Sequence, residues 1–185
     1  ESKGKDLHYD LYFSLKDVYH RKRKKVGVSR FRWNEESDEY VKEKIKLYVP
    51  LYKEEGVFEG EADEGEEYDH AGDVIINVRY KPCDFCYLRN GFDLVYTKEI
   101  SVSDLYNGGV FQVELLNCKK VEVKFGEELL EMEEGAREIK VEGKGMPRSE
   151  RGRGRGDLYI NFVVKFPQMS EKEINIVKTL FPSLL

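Results

Sequence analysis

Cysteine and histidine, the residues of covalent and metal-dependent sites, are scarce in this chain. Three Cys and three His are spread over 185 residues. An odd number of thiols cannot all pair, and a chain of this length has no need of disulfides to hold a core. That usage points to a reducing compartment, the cytoplasm rather than the endoplasmic reticulum. Cys83 and Cys86 have the spacing of half a zinc knuckle or of a redox pair, but Cys118 is the one thiol left, and His8, His20 and His70 lie far apart. A four-ligand structural site needs two more ligands, so the pair is read as loop cysteines and no metal is expected. There is no Gly-x-Ser-x-Gly, no Gly-Lys-Ser/Thr phosphate loop and no Gly-x-Gly-x-x-Gly after a strand. The chain is therefore expected not to be an enzyme and to use no cofactor. No apolar run approaches the roughly 18–20 residues that cross a bilayer, so no membrane span is expected. Glu1-Ser2-Lys3-Gly4-Lys5 carries no initiator Met and has no signal-peptide character, which suits an excised fragment.

What is abundant is aromatic and charged. Tyr and Phe number 12 and 10 against 5 Pro, the hydrophobic fraction is 40%, and 36% of residues are charged. The aromatic and β-branched bias favours strands. The net charge of −5 hides a segregation: Arg21 to Lys25 is one basic block, whereas Glu54 to Asp73 holds ten acidic residues and no Lys or Arg. A net acidic chain with one basic stripe argues against general nucleic-acid binding and suits a local acidic ligand.

Alternation places the strands. Leu7, Tyr9, Leu11 and Phe13 alternate with His8, Asp10 and Tyr12, a strand with one face on a core. A single helical turn, Ser14 to Tyr19, separates it from a second strand through Val26-Gly27-Val28, and the two are expected to pair. Glu35 to Glu43 reads as a loop or exposed extension, Lys44 to Pro50 as a strand, Gly56 to Gly72 as an acidic turn region, and Asp73 to Tyr80 as a strand. Leu94–Ile100, Gly109–Leu116 and Lys119–Phe125 alternate likewise. Gly126 and Gly135 bracket Glu127 to Glu134 as a loop or short turn.

The second half repeats the first. Ser14-Leu15-Lys16-Asp17-Val18-Tyr19 recurs 87 residues on as Ser101-Val102-Ser103-Asp104-Leu105-Tyr106, and Gly72-Asp73-Val74 recurs 84 residues on as Gly156-Asp157-Leu158. Two matches in the same order at nearly equal offsets indicate tandem duplication. The expected division is 1–82, 83–167 and a terminal segment 168–185. In that last segment Ser170 and Glu173 have capping-box spacing, and Ile174, Val177, Leu180 and Phe181 mark one helical face before Pro182. The face must bury itself, either on its own domain or on a second copy.

The basic block abuts apolar strands. An apolar strip of Tyr9, Leu11, Val26 and Val28 with Arg23, Lys24 and Lys25 at its margin is read as a receptor for a short extended peptide, held by strand addition, with the cations taking acidic groups. The competing reading is a nucleic-acid-binding or scaffold protein that uses Arg21–Lys25 and the Arg-Gly run Arg151–Gly156; that run fits a turn better than an RNA contact.

In order along the chain, Gly4-Lys5-Asp6-Leu7, Ser14–Tyr19, Gly56-Val57-Phe58-Glu59-Gly60 with its acidic loop, Ala71-Gly72-Asp73-Val74, Arg89-Asn90-Gly91-Phe92-Asp93-Leu94, Gly143-Lys144-Gly145-Met146-Pro147 and Gly156-Asp157-Leu158 make a specific signature. The chain resembles the C-terminal substrate-binding and dimerisation region of DnaJ-type (J-domain) heat-shock co-chaperones. The resemblance implies an all-β fold of two tandem β-sandwich-like domains and a C-terminal helix that makes a homodimer. It implies that the first domain holds unfolded client polypeptides and the acidic tail of a DnaK-type chaperone. Tyr9, Leu11, Val26, Val28 and Tyr87 would line the groove, and Arg23, Lys24 and Lys25 would meet the tail. Val26 replaces a frequent Phe, and Gly27 a Lys. The family's His-Pro-Asp domain is absent from this stretch, which by itself is then not expected to stimulate ATP hydrolysis; Glu35 to Glu43 stands in place of the Cys-x-x-Cys-x-Gly-x-Gly repeats, as in the class without zinc.

Overall fold

The computed structural model describes residues 1–20, 23–81, 83–148 and 154–185. Short alternating runs broken by Gly, Pro and Ser set its elements. Strand β1 (Leu7–Phe13) ends at Ser14, whose extended backbone and hydroxyl, accepting the Asp17 N–H, start the one-turn helix α1 (Leu15–Tyr19). Strands β2 (Arg23–Asn34), β3 (Glu39–Pro50), β4 (Glu55–Phe58) and β5 (Val74–Tyr80) follow. A short β6 (Cys86–Arg89) precedes β7 (Asp93–Ser101), α2 (Val102–Asn107), β8 (Gly109–Glu114), β9 (Lys120–Phe125) and α3 (Glu128–Glu131). Then come β10 (Glu138–Val141), β11 (Leu158–Lys165) and α4 (Glu171–Leu180). Strands dominate, so the fold is all-β as expected. Among the described residues no helix is long and apolar enough to cross a membrane.

The sheets are ordered β1-β5-β4, β2-β3, β10-β11-β7-β6 and β8-β9. The first half's topology recurs in the second. β1 runs parallel to β5 with Leu7 opposite Val74, and β7 runs parallel to β11 with Leu94 opposite Leu158, the same offsets of 87 and 84 residues. Hairpin β8–β9 answers to β2–β3, and β10 flanks β11 as β4 flanks β5. The hydrogen bonds recur as well. Asp73 and Asp157 each accept a glycine N–H at 2.9 Å, from Gly60 and Gly143, and each donates its own N–H to an aspartate at 2.8 Å, Asp6 and Asp93. Gly72 and Gly156 precede them where a Cβ would collide with the Lys5 and Phe92 carbonyl oxygens, so only glycine fits.

Three expectations are corrected here. β1 and β2 do not pair: β1 lies parallel to β5, and β2 pairs along its full length with β3. The reason is α1, which buries Leu15, Val18 and Tyr19 and carries the chain into a different sheet. The stretch Glu35–Glu43 is not a loop beyond residue 38. Glu39–Glu43 belongs to β3, a ribbon end held by ion pairs such as Arg30–Glu43 at 2.7 Å and so without apolar alternation. Cys86 is not a loop cysteine but a buried residue of β6. In addition, the acidic turn region begins with β4, and Glu127–Glu134 holds the single turn α3.

One apolar core runs through both halves. Val28, Leu47 and Val49 share it with Val74, Ile76 and Val78 in the first, and Leu94, Ile160 and Phe162 with Val113 and Val123 in the second. Arg155 stacks 4.4 Å over the ring of Tyr19 and so ties the halves together. Helix α4 has the capping box foreseen, with Ser170 and Glu173 exchanging hydrogen bonds, yet none of its residues is buried. Ile174, Leu180 and Phe181 are exposed and Val177 is partly so.

Candidate functional site

Among the described residues the first half has four strand edges without a neighbouring strand, on β1 and β4 of one sheet and on β2 and β3 of the other. The β2 edge divides into a covered half and an open one. Its far half is closed by the acidic segment. Phe31 N–H donates to Asp63 Oδ1 at 2.7 Å, Trp33 N–H to Glu64 Oε2 at 2.9 Å, and the Phe31 carbonyl accepts Glu64 N–H at 3.0 Å. Arg32 holds that segment through the Gly60 and Ala62 carbonyls and Glu64. Strand alternation points the N–H and C=O of Lys25, Gly27 and Ser29 the same way as those of Phe31. Among the described residues these three have no backbone partner on that side.

Tyr9 and Leu11 on β1 and Val26 on β2 are half-buried against the core, and Val28 is fully buried, so it forms floor rather than rim. Lys24 turns to the inner side and pairs with Asp17 of α1 at 2.8 Å, while Arg23 and Lys25 are exposed. The other two members of the basic block, Arg21 and Lys22, lie outside the described residues, as do Arg151 to Arg153 of the Arg-Gly run. Tyr87 sits in the other half, on β6 opposite Val95, half exposed.

The outer face of the β2–β3 ribbon was not singled out from the sequence. There Lys25 lies opposite Tyr48, Gly27 opposite Lys46 and Ser29 opposite Lys44, so the open edge is bordered by exposed lysines. The signal was present in the period-2 spacing of Lys42, Lys44 and Lys46 on β3. Among the described residues no group of three His, Cys, Asp or Glu could hold a metal ion.

The model of the DnaJ C terminal domain family matches residues 7–167. The chain belongs to that family. DnaJ C-terminal domains are β-sandwiches, as here. Similar proteins include "Chaperone protein DnaJ" of Bartonella henselae, 36% identical over 114 residues, which cover 62% of this chain and 29% of that protein. "Chaperone protein DnaJ 2" of Aquifex aeolicus is 36% identical over 132 residues, covering 70% and 34%. "DnaJ protein homolog 1" of Drosophila melanogaster is 29% identical over 182 residues, covering 96% and 50%. The chain thus spans between about a third and half of these relatives' length. In this DnaJ C-terminal region the strand without a counterpart is β6. It pairs with β7 on the edge that corresponds to the open outer edge of β1. Among the described residues the β1 edge thus has no neighbouring strand, whereas β7 has β6 beside it.

Proposed function

We propose that this DnaJ C-terminal region is the client-holding part of a co-chaperone. Its first unit binds an extended segment of an unfolded polypeptide, or the acidic tail of a DnaK-type chaperone, by strand addition to β2 at Lys25, Gly27 and Ser29. The observation that carries this reading is the unpaired run of those residues between α1 and the acidic cap on Phe31 and Trp33. Each main-chain hydrogen bond contributes only about 1 kcal/mol net, so sequence-tolerant affinity needs apolar support. Tyr9, Leu11 and Val26 supply it over a floor of Val28, and Tyr87 is the groove aromatic that the family resemblance implies. Arg23, Lys24 and Lys25 take the acidic groups. Units 1–82 and 83–167 divide the work, and 168–185 joins two copies through Ile174, Val177, Leu180 and Phe181. The likeness to proteins named DnaJ and the short β2–β3 turn at 35–38 support a co-chaperone of the class without zinc, acting in the cytoplasm without covalent chemistry.

Amide hydrogen exchange tests the reading. An acidic, apolar-ended peptide should protect the Lys25, Gly27 and Ser29 amides and leave Phe31 and Trp33 as they were. Protection confined to other strands would overturn it. A nucleic-acid role would appear instead as steeply salt-dependent RNA binding indifferent to the peptide.

A further inference from the structure

Where the two halves meet lies a cavity of about 730 Å³, away from the β2 edge. Phe111 and Val113 of β8, Tyr96 and Lys98 of β7 and Ile160 of β11 line it from the second half; Leu15 and Lys16 of α1 close it from the first. Tyr96 follows Tyr9 by the 87-residue offset, so this is the second half's version of the groove. It differs in a way that changes its ligand. The β7 edge is occupied by β6, with Cys86 opposite Tyr96, and Phe85 stands edge-on to the Tyr96 ring at 5.3 Å. β6 thus covers in the second half the strand edge that has no neighbouring strand in the first.

Its chemistry is that of a site for an apolar body with an anionic head. Most of the lining is apolar. The charged lining groups are Lys16, Lys81 and Lys98 against Glu114, an excess of positive charge. Lys98 Nζ lies 4.9 Å from the Phe111 ring centroid, within the apolar part. Tyr96 is 6% exposed, and its hydroxyl has no hydrogen-bond partner among the described residues. Burial pushes that phenol up, so it remains a neutral donor. The hydroxyl is itself buried, so what Tyr96 offers the cavity is its ring.

We propose that this cavity binds a small amphiphilic carboxylate. The tail lies among Leu15, Phe111, Val113 and Ile160 against the Tyr96 side chain, and the carboxylate meets Lys98 and Lys16. The site is independent of the peptide reading, because it shares no residue with the β2 edge. Calorimetric titration of the 185-residue chain with decanoate tests it, with decyltrimethylammonium as the control of opposite charge. Decanoate should bind saturably at one per chain and the cation should not. Lys16→Ala and Lys98→Ala should each weaken decanoate about tenfold, and Tyr96→Phe should leave its affinity unchanged. Tyr96→Phe should leave the unliganded melting temperature unchanged or higher, since it removes an unsatisfied group without changing the packing. Equal binding of the cation, no saturable binding, or affinity unaffected by both lysine substitutions would overturn the proposal. So would a peptide that protects the β8 amides where decanoate fails to bind, since that would assign the cavity to polypeptide.

Discussion

Lys24 offers the sharpest test of the peptide site, because the structure gives it a partner already. Its ammonium pairs with the Asp17 carboxylate at 2.8 Å, both side chains partly exposed. Pairs of that kind contribute about 0.2–1 kcal/mol. An acidic peptide end must compete with Asp17 for Lys24, so the internal pair lowers affinity by up to that amount. Asp17→Asn should therefore tighten an acidic-tailed peptide by up to about fivefold. Lys24→Glu should act the other way and more strongly: it deletes the attraction and sets a second carboxylate beside Asp17, and binding should fall at least about thirtyfold, roughly 2 kcal/mol. The fold should survive, with a loss near 1 kcal/mol and a melting temperature lower by about 2–4 °C. Fluorescence anisotropy of a labelled peptide reads the affinities, and the effects should shrink with added salt. If Asp17→Asn weakens binding, or Lys24→Glu leaves it unchanged while the protein remains folded, Lys24 is not the tail's contact.

Other consequences are as direct. Leu11→Asp should reduce suppression of client aggregation in a light-scattering assay, with circular dichroism unchanged; full suppression would place the clients elsewhere. Ile174→Glu with Leu180→Glu should give a monomer by analytical ultracentrifugation, since the apolar α4 face they interrupt is exposed; a persisting dimer would show another contact. Gly72→Ala and Gly156→Ala should each destabilise by about 1–3 kcal/mol in urea titration, because their Cβ would meet a backbone carbonyl rather than a movable side chain. Asp73 is held below the ordinary carboxylate range chiefly by the Lys3 hydrogen bond and then by Gly60 N–H, and Asp157 chiefly by Gly143 N–H. A depressed folded-state value means that their stabilisation is complete above the usual aspartate pKa of about 3.9 and is lost as pH falls through the lower folded value. Asp73→Asn should accordingly flatten the acid limb of a stability-against-pH curve, and an unaltered limb would mean that this carboxylate contributes nothing.

Local chemistry carried much of the architecture. Alternation at Leu7 to Phe13 and at Val74 to Tyr80, serine caps at Ser14, Ser101 and Ser170, and the Gly-Asp lead-ins at 72 and 156 act over a few residues, so they are legible without neighbours. The repeat offsets of 87 and 84 residues reappear as the registers of two parallel strand pairs, because duplicated side chains bury in duplicated places. Strand partnership was not legible in the same way. Nothing in Tyr9 or Val26 says that α1 sends β2 to a different sheet, and β6 was hidden because Cys83 to Arg89 is too short to show a period. The open edge itself is a tertiary fact. Phe31 and Trp33 are capped because a remote acidic segment reaches their half of the strand, and Lys25, Gly27 and Ser29 have no backbone partner on that side among the described residues. Residue order determined which segments become strands and which faces are greasy or charged, since those properties belong to the side chains. Which backbone groups stay free to receive another chain depended on how the strands assembled, since a hydrogen-bonding edge exists only once its neighbours have taken their places.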